Sequence, residues 1–232
     1  MPKLIDCIQG SDEWLECRVG RITASRLADV MSYKDPSSAT AKAAGFSLVR
    51  EAVAAGIKGD ESQARADYRM DKVAERLTGR LEDNVVSREM KWGIEQEPHA
   101  RFAYEKARDL MVEQVGFAIH PVIASSGASP DALVESDGVL EIKCPKTTTH
   151  LNWMLAGVVP EKHRPQMYWE MVCCERLWAD FVSYDPRLPE DLQLFICRLP
   201  YDQAIADEMA REVRKFDAEI EAVIEQLRGG RI

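Results

Sequence analysis

The chain has 232 residues, 46% of them hydrophobic, and a formal net charge of −9. That length and apolar content suit one domain with a sizeable core, expected here to span 1–232. The acidic balance excludes a surface coated for nonspecific nucleic-acid binding, but it leaves room for a local basic channel, such as Arg18, Arg21 and Arg26 or Lys143 and Lys146.

From the N-terminus, Ser11 with Asp12 and Glu13 predicts a capped helix that breaks at Gly20. Thr23 or Ser25 is expected to cap the next helix, and residues 32–40 read as a polar loop. Helices are expected over 41–56 and 64–78, stopped by Gly56 and Gly79, and over about 84–109, interrupted by Pro98. Strands are expected over 114–124, 128–135 and Val139 to Cys144, then a short helix or lid over 147–157. Pro165 at position N1 starts a helix from Gln166 to Cys174. Two more strands run Trp178 to Tyr184 and Leu192 to Leu199. Apolar residues at Ile205, Met209, Val213, Phe216, Ile220, Val223 and Leu227 mark an amphipathic helix that packs on the body or against another subunit. The order predicts an α/β (α+β) fold with a central mixed β-sheet flanked by helices. Its helical part covers about 1–112, its sheet core about 113–200 and its terminal helix about 201–228.

No apolar run is long enough to span a bilayer, and the N-terminus has no signal-peptide pattern. The six cysteines form no C-x-x-C pair, so buried thiols in a reducing compartment are expected in place of zinc or iron–sulfur sites. The four histidines are dispersed and read as structural or exposed. Trp153 and Trp169 read as core packing ahead of base stacking.

The chemistry concentrates in Pro130-Asp131 and Glu141-Ile142-Lys143. On a strand, Glu141 and Lys143 project from one face, and Leu140 and Ile142 from the other. Two carboxylates and an ammonium at one point suit a hard divalent cation beside a phosphodiester. A two-residue turn at Asp137-Gly138 would face Asp131 away from Glu141. A three-residue loop, Ser136-Asp137-Gly138 with Gly138 left-handed, pairs Glu135 with Val139, so Asp131 comes opposite Lys143 on the Glu141 face. The three-residue loop is therefore expected.

With these residues the chain resembles the PD-(D/E)XK nuclease superfamily, whose restriction-endonuclease-like core has this strand pattern. The blocks from Trp14 through Arg18 to Ser25, Gly93 through Glu97 to Arg101, Ala128 to Asp131, Glu141 to Pro145 and Tyr184 to Arg187 resemble the YqaJ-type viral recombinases, a phage lambda exonuclease-like family. The resemblance implies a 5′→3′ exonuclease that uses Mg²⁺ (Mn²⁺ as a possible substitute) on ends of double-stranded DNA. It also implies a 3′ overhang, a homotrimer, a single-strand annealing protein as partner, and the cytoplasm of a bacterial or phage-infected cell.

The resemblance also implies roles. Asp131, Glu141, the Ile142 carbonyl and Glu97 would hold the metal, Lys143 would orient or deprotonate water, and Gln166 would orient water or phosphate. Arg18, Ser25 and Ser129 would bind the 5′ phosphate, for which a forked guanidinium and hydroxyl donors are apt. Two alternatives stay open: an endonuclease or junction resolvase on the same core, and a noncatalytic DNA-end-binding protein.

Overall fold

The computed structural model describes residues 2–81 and 87–230. Strand β1 (Lys3–Ile5) precedes helix α1 (Asp12–Arg18), where the Ser11 hydroxyl accepts from the Trp14 N–H at 3.3 Å. After β2 (Ile22–Thr23) comes a 3₁₀ turn over Ala24–Arg26, then α2 (Leu27–Val30). The expected Thr23 or Ser25 cap is absent. Thr23 reaches Tyr68 and Ser25, and Ser25 lies within the 3₁₀ turn.

The expected 32–40 loop ends early, because Ser37 caps α3 (Ser38–Ala43). The expected helix over 41–56 is split: α3 stops before Gly45, which is left-handed at φ 88°, and α4 covers Val49–Ala54. Next, α5 (Gln63–Thr78) starts on the Ser62 cap and ends at left-handed Gly79, as expected. Helix α6 (Arg88–Arg108) is capped by Ser87 and runs on through Pro98. The expected residues 84–86 of this helix lie outside the described residues.

The two longer strands expected over 114–124 and 128–135 are instead four short ones: β3 (Val112–Glu113), β4 (Phe117–Ile119), β5 (Ser126–Ala128) and β6 (Ala132–Val134). Strand β7 (Gly138–Lys143) is followed by α7 (Thr147–Ala156) and α8 (Arg164–Cys174), which starts two residues before Gln166. The chain ends in β8 (Trp178–Tyr184), β9 (Leu194–Pro200) and α9 (Gln203–Gly229).

Two mixed sheets take the place of one. The first has the order β1-β4-β5-β2 and the second β3-β6-β7-β8-β9. Strands β7 and β8 are parallel, and α7 and α8 form the crossover between them. Strand β7 is buried on both faces. Val139 joins the core built with Phe181, Trp169, Met167 and Phe216, while Leu140 and Ile142 join Ala100, Tyr104 and Val182 beneath α6. Helix α9 packs as the spacing predicts: Met209, Val213, Phe216 and Ile220 are buried, and Phe216 stacks on Tyr68 of α5 at 5.6 Å. Leu227, at the end of that stripe, is exposed. Trp169 is buried and Trp153 packs edge-on to Phe181, so both tryptophans serve the core. All six cysteines are free thiols, but only Cys173 and Cys174 are buried.

The β6–β7 connection has three residues, Glu135, Ser136 and Asp137, with Val134 paired to Gly138 and Ala132 to Leu140. The expected loop length is right and its position is one residue off. Glu135, not Gly138, takes the left-handed conformation, at φ 48°. The register differs from the expected one by two, so the face is preserved: extending the ladder sets Asp131 opposite Glu141 in place of Lys143. Gly138 is needed for space. A Cβ there would lie 2.2 Å from the Trp178 ring.

Candidate active site

Strand β7 carries Glu141 and Lys143 toward α8, and the Lys143 ammonium bonds Glu141 Oε1. Asp131 arrives at the start of β6, where its Oδ2 accepts from the Ile142 N–H at 2.5 Å and its own N–H donates to the Leu140 carbonyl at 3.1 Å. Glu97 approaches from α6. It is paired with Arg101 one turn on and lies within electrostatic reach of Glu141 and Lys143. Asp131, Glu141, Lys143 and Glu97 are thus brought together.

The electrostatics show an excess of negative charge. Burial first, then Glu141, push the Asp131 carboxyl well above the ordinary range. Burial also raises Glu97, and Glu141 adds to it, against the opposing pull of Arg101. Burial favours neutral Lys143, but Glu141 and Asp131 outweigh it and raise its pKa above the ordinary lysine value. Lys143 is therefore held as an ammonium.

One residue was missed from sequence. Glu170 of α8 is fully buried beside Glu141, and its Oε1 accepts from Gln166 Nε2 at 2.8 Å. Gln166 thus sits at the site, tied to a fourth carboxylate. The signal was an acid four residues after Gln166 on an otherwise apolar helix face.

In chemical type the donors suit a hard divalent cation. Four carboxylates face one ammonium and one guanidinium, and the buried Glu141 Oε2 and Glu170 Oε2 have no hydrogen-bond partner among the described residues. The cluster is not a closed cage. Among the described residues no three His, Cys, Asp or Glu side chains are gathered to hold an ion.

Arg18, Ser25 and Ser129 also converge. Arg18 Nη2 donates to Ser25 Oγ at 3.3 Å, and its guanidinium lies 4.3 Å from the Trp14 ring centroid. Trp14 Nε1 donates to Ser129 Oγ at 2.8 Å. Among the described residues no carboxylate forms an ion pair with half-buried Arg18, and burial lowers its pKa. Gln9 adds a tether, with Nε2 donating to the carbonyls of Pro130 at 2.8 Å and Val115 at 2.9 Å. The Tyr184 to Arg187 block is a brace: Arg187 bonds buried Asp185 at 2.7 Å and the Pro145 carbonyl at 3.0 Å.

The histidines are structural or exposed. His120 Nδ1 accepts from the N–H groups of Val122 and Ile123, both at 3.0 Å, and His150 bridges Ser183 and the Leu192 carbonyl. His163 stacks on Phe181, and His99 is exposed. No described helix is long and apolar enough to cross a membrane.

Two mixed sheets flanked by helices, with Asp131 just before β6 and Glu141 and Lys143 on β7, define a nuclease-type PD-(D/E)XK-like fold. The family model of the YqaJ-like viral recombinase domain matches residues 47–176, and the chain belongs to that family. It is similar to the crystal structure of an alkaline exonuclease, LHK-Exo, from Laribacter hongkongensis, at 39% identity and TM-score 0.78 over 94% of this chain and 96% of that one. The same protein in complex with dAMP matches at 38% identity and TM-score 0.79, with 94% and 96% covered. A phage related exonuclease from Haemophilus somnus 129PT, at 14% identity and TM-score 0.63 over 89% and 96%, shares the fold. No curated protein matches the chain significantly.

Proposed function

We propose that the protein is a Mg²⁺-dependent 5′→3′ exonuclease that digests one strand of linear double-stranded DNA. The observation that carries this reading is the adjacency of Ser129 and Asp131. One faces the Trp14–Arg18–Ser25 array, the other the carboxylates. Two residues of chain span at most about 7 Å. A terminal phosphate held at Arg18 would therefore place a neighbouring phosphodiester near Glu141 and Lys143.

Asp131, Glu141, Glu97 and the Ile142 carbonyl would hold the ion, with Mn²⁺ as a possible substitute. When bound, the ion would supply Lewis-acid stabilisation of charge on the phosphoryl oxygens. Lys143, held as an ammonium, offsets charge on those oxygens and orients the attacking water. Deprotonation of that water by Lys143 requires that the bound ion offset the carboxylates that raise its pKa. Gln166 orients water or phosphate from the start of α8. Water adds to phosphorus, the bond to the 3′ oxygen breaks, and the shortened strand again ends in a 5′ phosphate that suits Arg18. The remaining strand is a 3′ overhang for a single-strand annealing protein, and the working assembly is a homotrimer of one nuclease domain per chain in the cytoplasm.

The test is digestion of end-labelled linear duplex with Mg²⁺, comparing 5′-phosphate, 5′-hydroxyl and closed-circular DNA. Rapid loss of the 5′-phosphorylated strand with the circle spared supports the reading. Cutting of the circle would make the protein an endonuclease. Tight end binding without cutting would make it a noncatalytic end-binding protein.

A further inference from the structure

Glu170 stands out among the buried groups. Its neighbours on α8 include Met167, Met171 and Cys173, all fully buried. A carboxylate in such surroundings is costly unless paired. Gln166 satisfies one oxygen only. The other, Oε2, finds no donor among the described residues, and neither does Oε2 of Glu141; the two carboxyls meet each other instead. Among the described residues no cation lies between them. Lys143 sits on the other oxygen of Glu141, and the ion pair of Arg101 is with Glu97. Two adjacent buried acceptors with no donor of the described residues between them hold together only if a positive charge, a proton or a cation, comes from outside the chain.

We propose that Glu170 belongs to the divalent-cation centre as a positioning residue: clamped by Gln166, it fixes the orientation of Glu141 and sets the affinity of the site for the ion. The inference rests on the metal-dependent reading above. Groups of this kind behind a direct ligand change metal affinity by about 10-fold to 100-fold when replaced. Glu170→Gln keeps size and hydrogen bonding to Gln166 while removing the charge. A role confined to packing would show as lowered stability with unchanged metal affinity.

The experiment is Mn²⁺ titration of the full chain without DNA, read as free Mn²⁺ by electron paramagnetic resonance, with thermal melting in chelator alongside. Glu170→Gln is expected to weaken Mn²⁺ binding by about 10-fold or more, while its melting temperature in chelator is held or raised. Gln166→Ala, which frees the clamp, is expected to weaken binding less. Wild-type affinity in a folded Glu170→Gln protein overturns the inference. If that variant does not fold, wild-type affinity in Gln166→Ala overturns it. Failure of the unsubstituted protein to bind Mn²⁺ removes the metal-dependent reading itself, and this inference with it.

Discussion

Trp14 and Ser129 are 115 positions apart, yet the indole N–H donates to the serine hydroxyl at 2.8 Å. The same indole face lies 4.3 Å from the Arg18 guanidinium. One side chain of α1 therefore aligns two donors expected to bind a terminal phosphate. Trp14→Phe keeps the ring under Arg18 and loses the bond to Ser129. A neutral hydrogen bond contributes about 0.5–1.5 kcal/mol, so the preference for 5′-phosphate over 5′-hydroxyl ends should fall by up to about 10-fold. Arg18→Ala should cost more, on the order of 10-fold to 100-fold, because charge-assisted bonds are worth about 1.5–3 kcal/mol. Digestion rates on the two substrates measure both.

Lys143→Ala should keep DNA binding and lose cleavage, because the ammonium sits among the carboxylates while the Arg18 array is separate. Single-turnover digestion beside a binding titration checks this. Turnover at the wild-type rate would remove Lys143 from the chemistry.

Gly138→Ala should destabilise the fold by about 1–3 kcal/mol, the usual cost of overpacking. The added carbon would meet the Trp178 ring at 2.2 Å, on the strand that carries Glu141 and Lys143. Urea unfolding should show a lower midpoint, and wild-type stability would mean that Trp178 moves aside freely.

Acid should weaken the fold through buried His120 and half-buried His163. Burial, helped by Arg214, lowers His120 to about 4, and burial with Lys143 and Lys162 lowers His163 to about 3. Both are neutral when folded, so below about pH 6.5 the unfolded chain takes up more protons. Their contribution is whole above that value and is lost as pH falls toward about 4 and about 3. Raised carboxyls such as Asp131 act in the opposite sense: stability from them is present at low pH and is lost as pH rises above the ordinary carboxylate range. Comparing melting temperature against pH for wild type and His120→Asn isolates one histidine. The variant should show the shallower decline on acidification.

Residues with a strong local pattern were legible. The alternation in β7 is enough by itself to place Glu141 and Lys143 on one face and Leu140 and Ile142 on the other. The face of Asp131 also followed from loop parity, though the left-handed residue proved to be Glu135, because nothing local revealed Trp178 above Gly138. Strands β2 and β3, two residues each, are too short for a period to register. Glu170 stayed hidden because its meaning depends on β7 packing across α8, a tertiary contact that spacing along one helix does not report.

The surplus of carboxylates has a consequence for the order of events. A phosphodiester approaching the site alone meets four acids and, among the described residues, two compensating cations. On the proposed reading, ion and DNA are reciprocal effectors, each raising the affinity for the other by the same factor. The protein would then act as a coincidence detector, inert toward DNA ends until the divalent ion has made the site hospitable to phosphate.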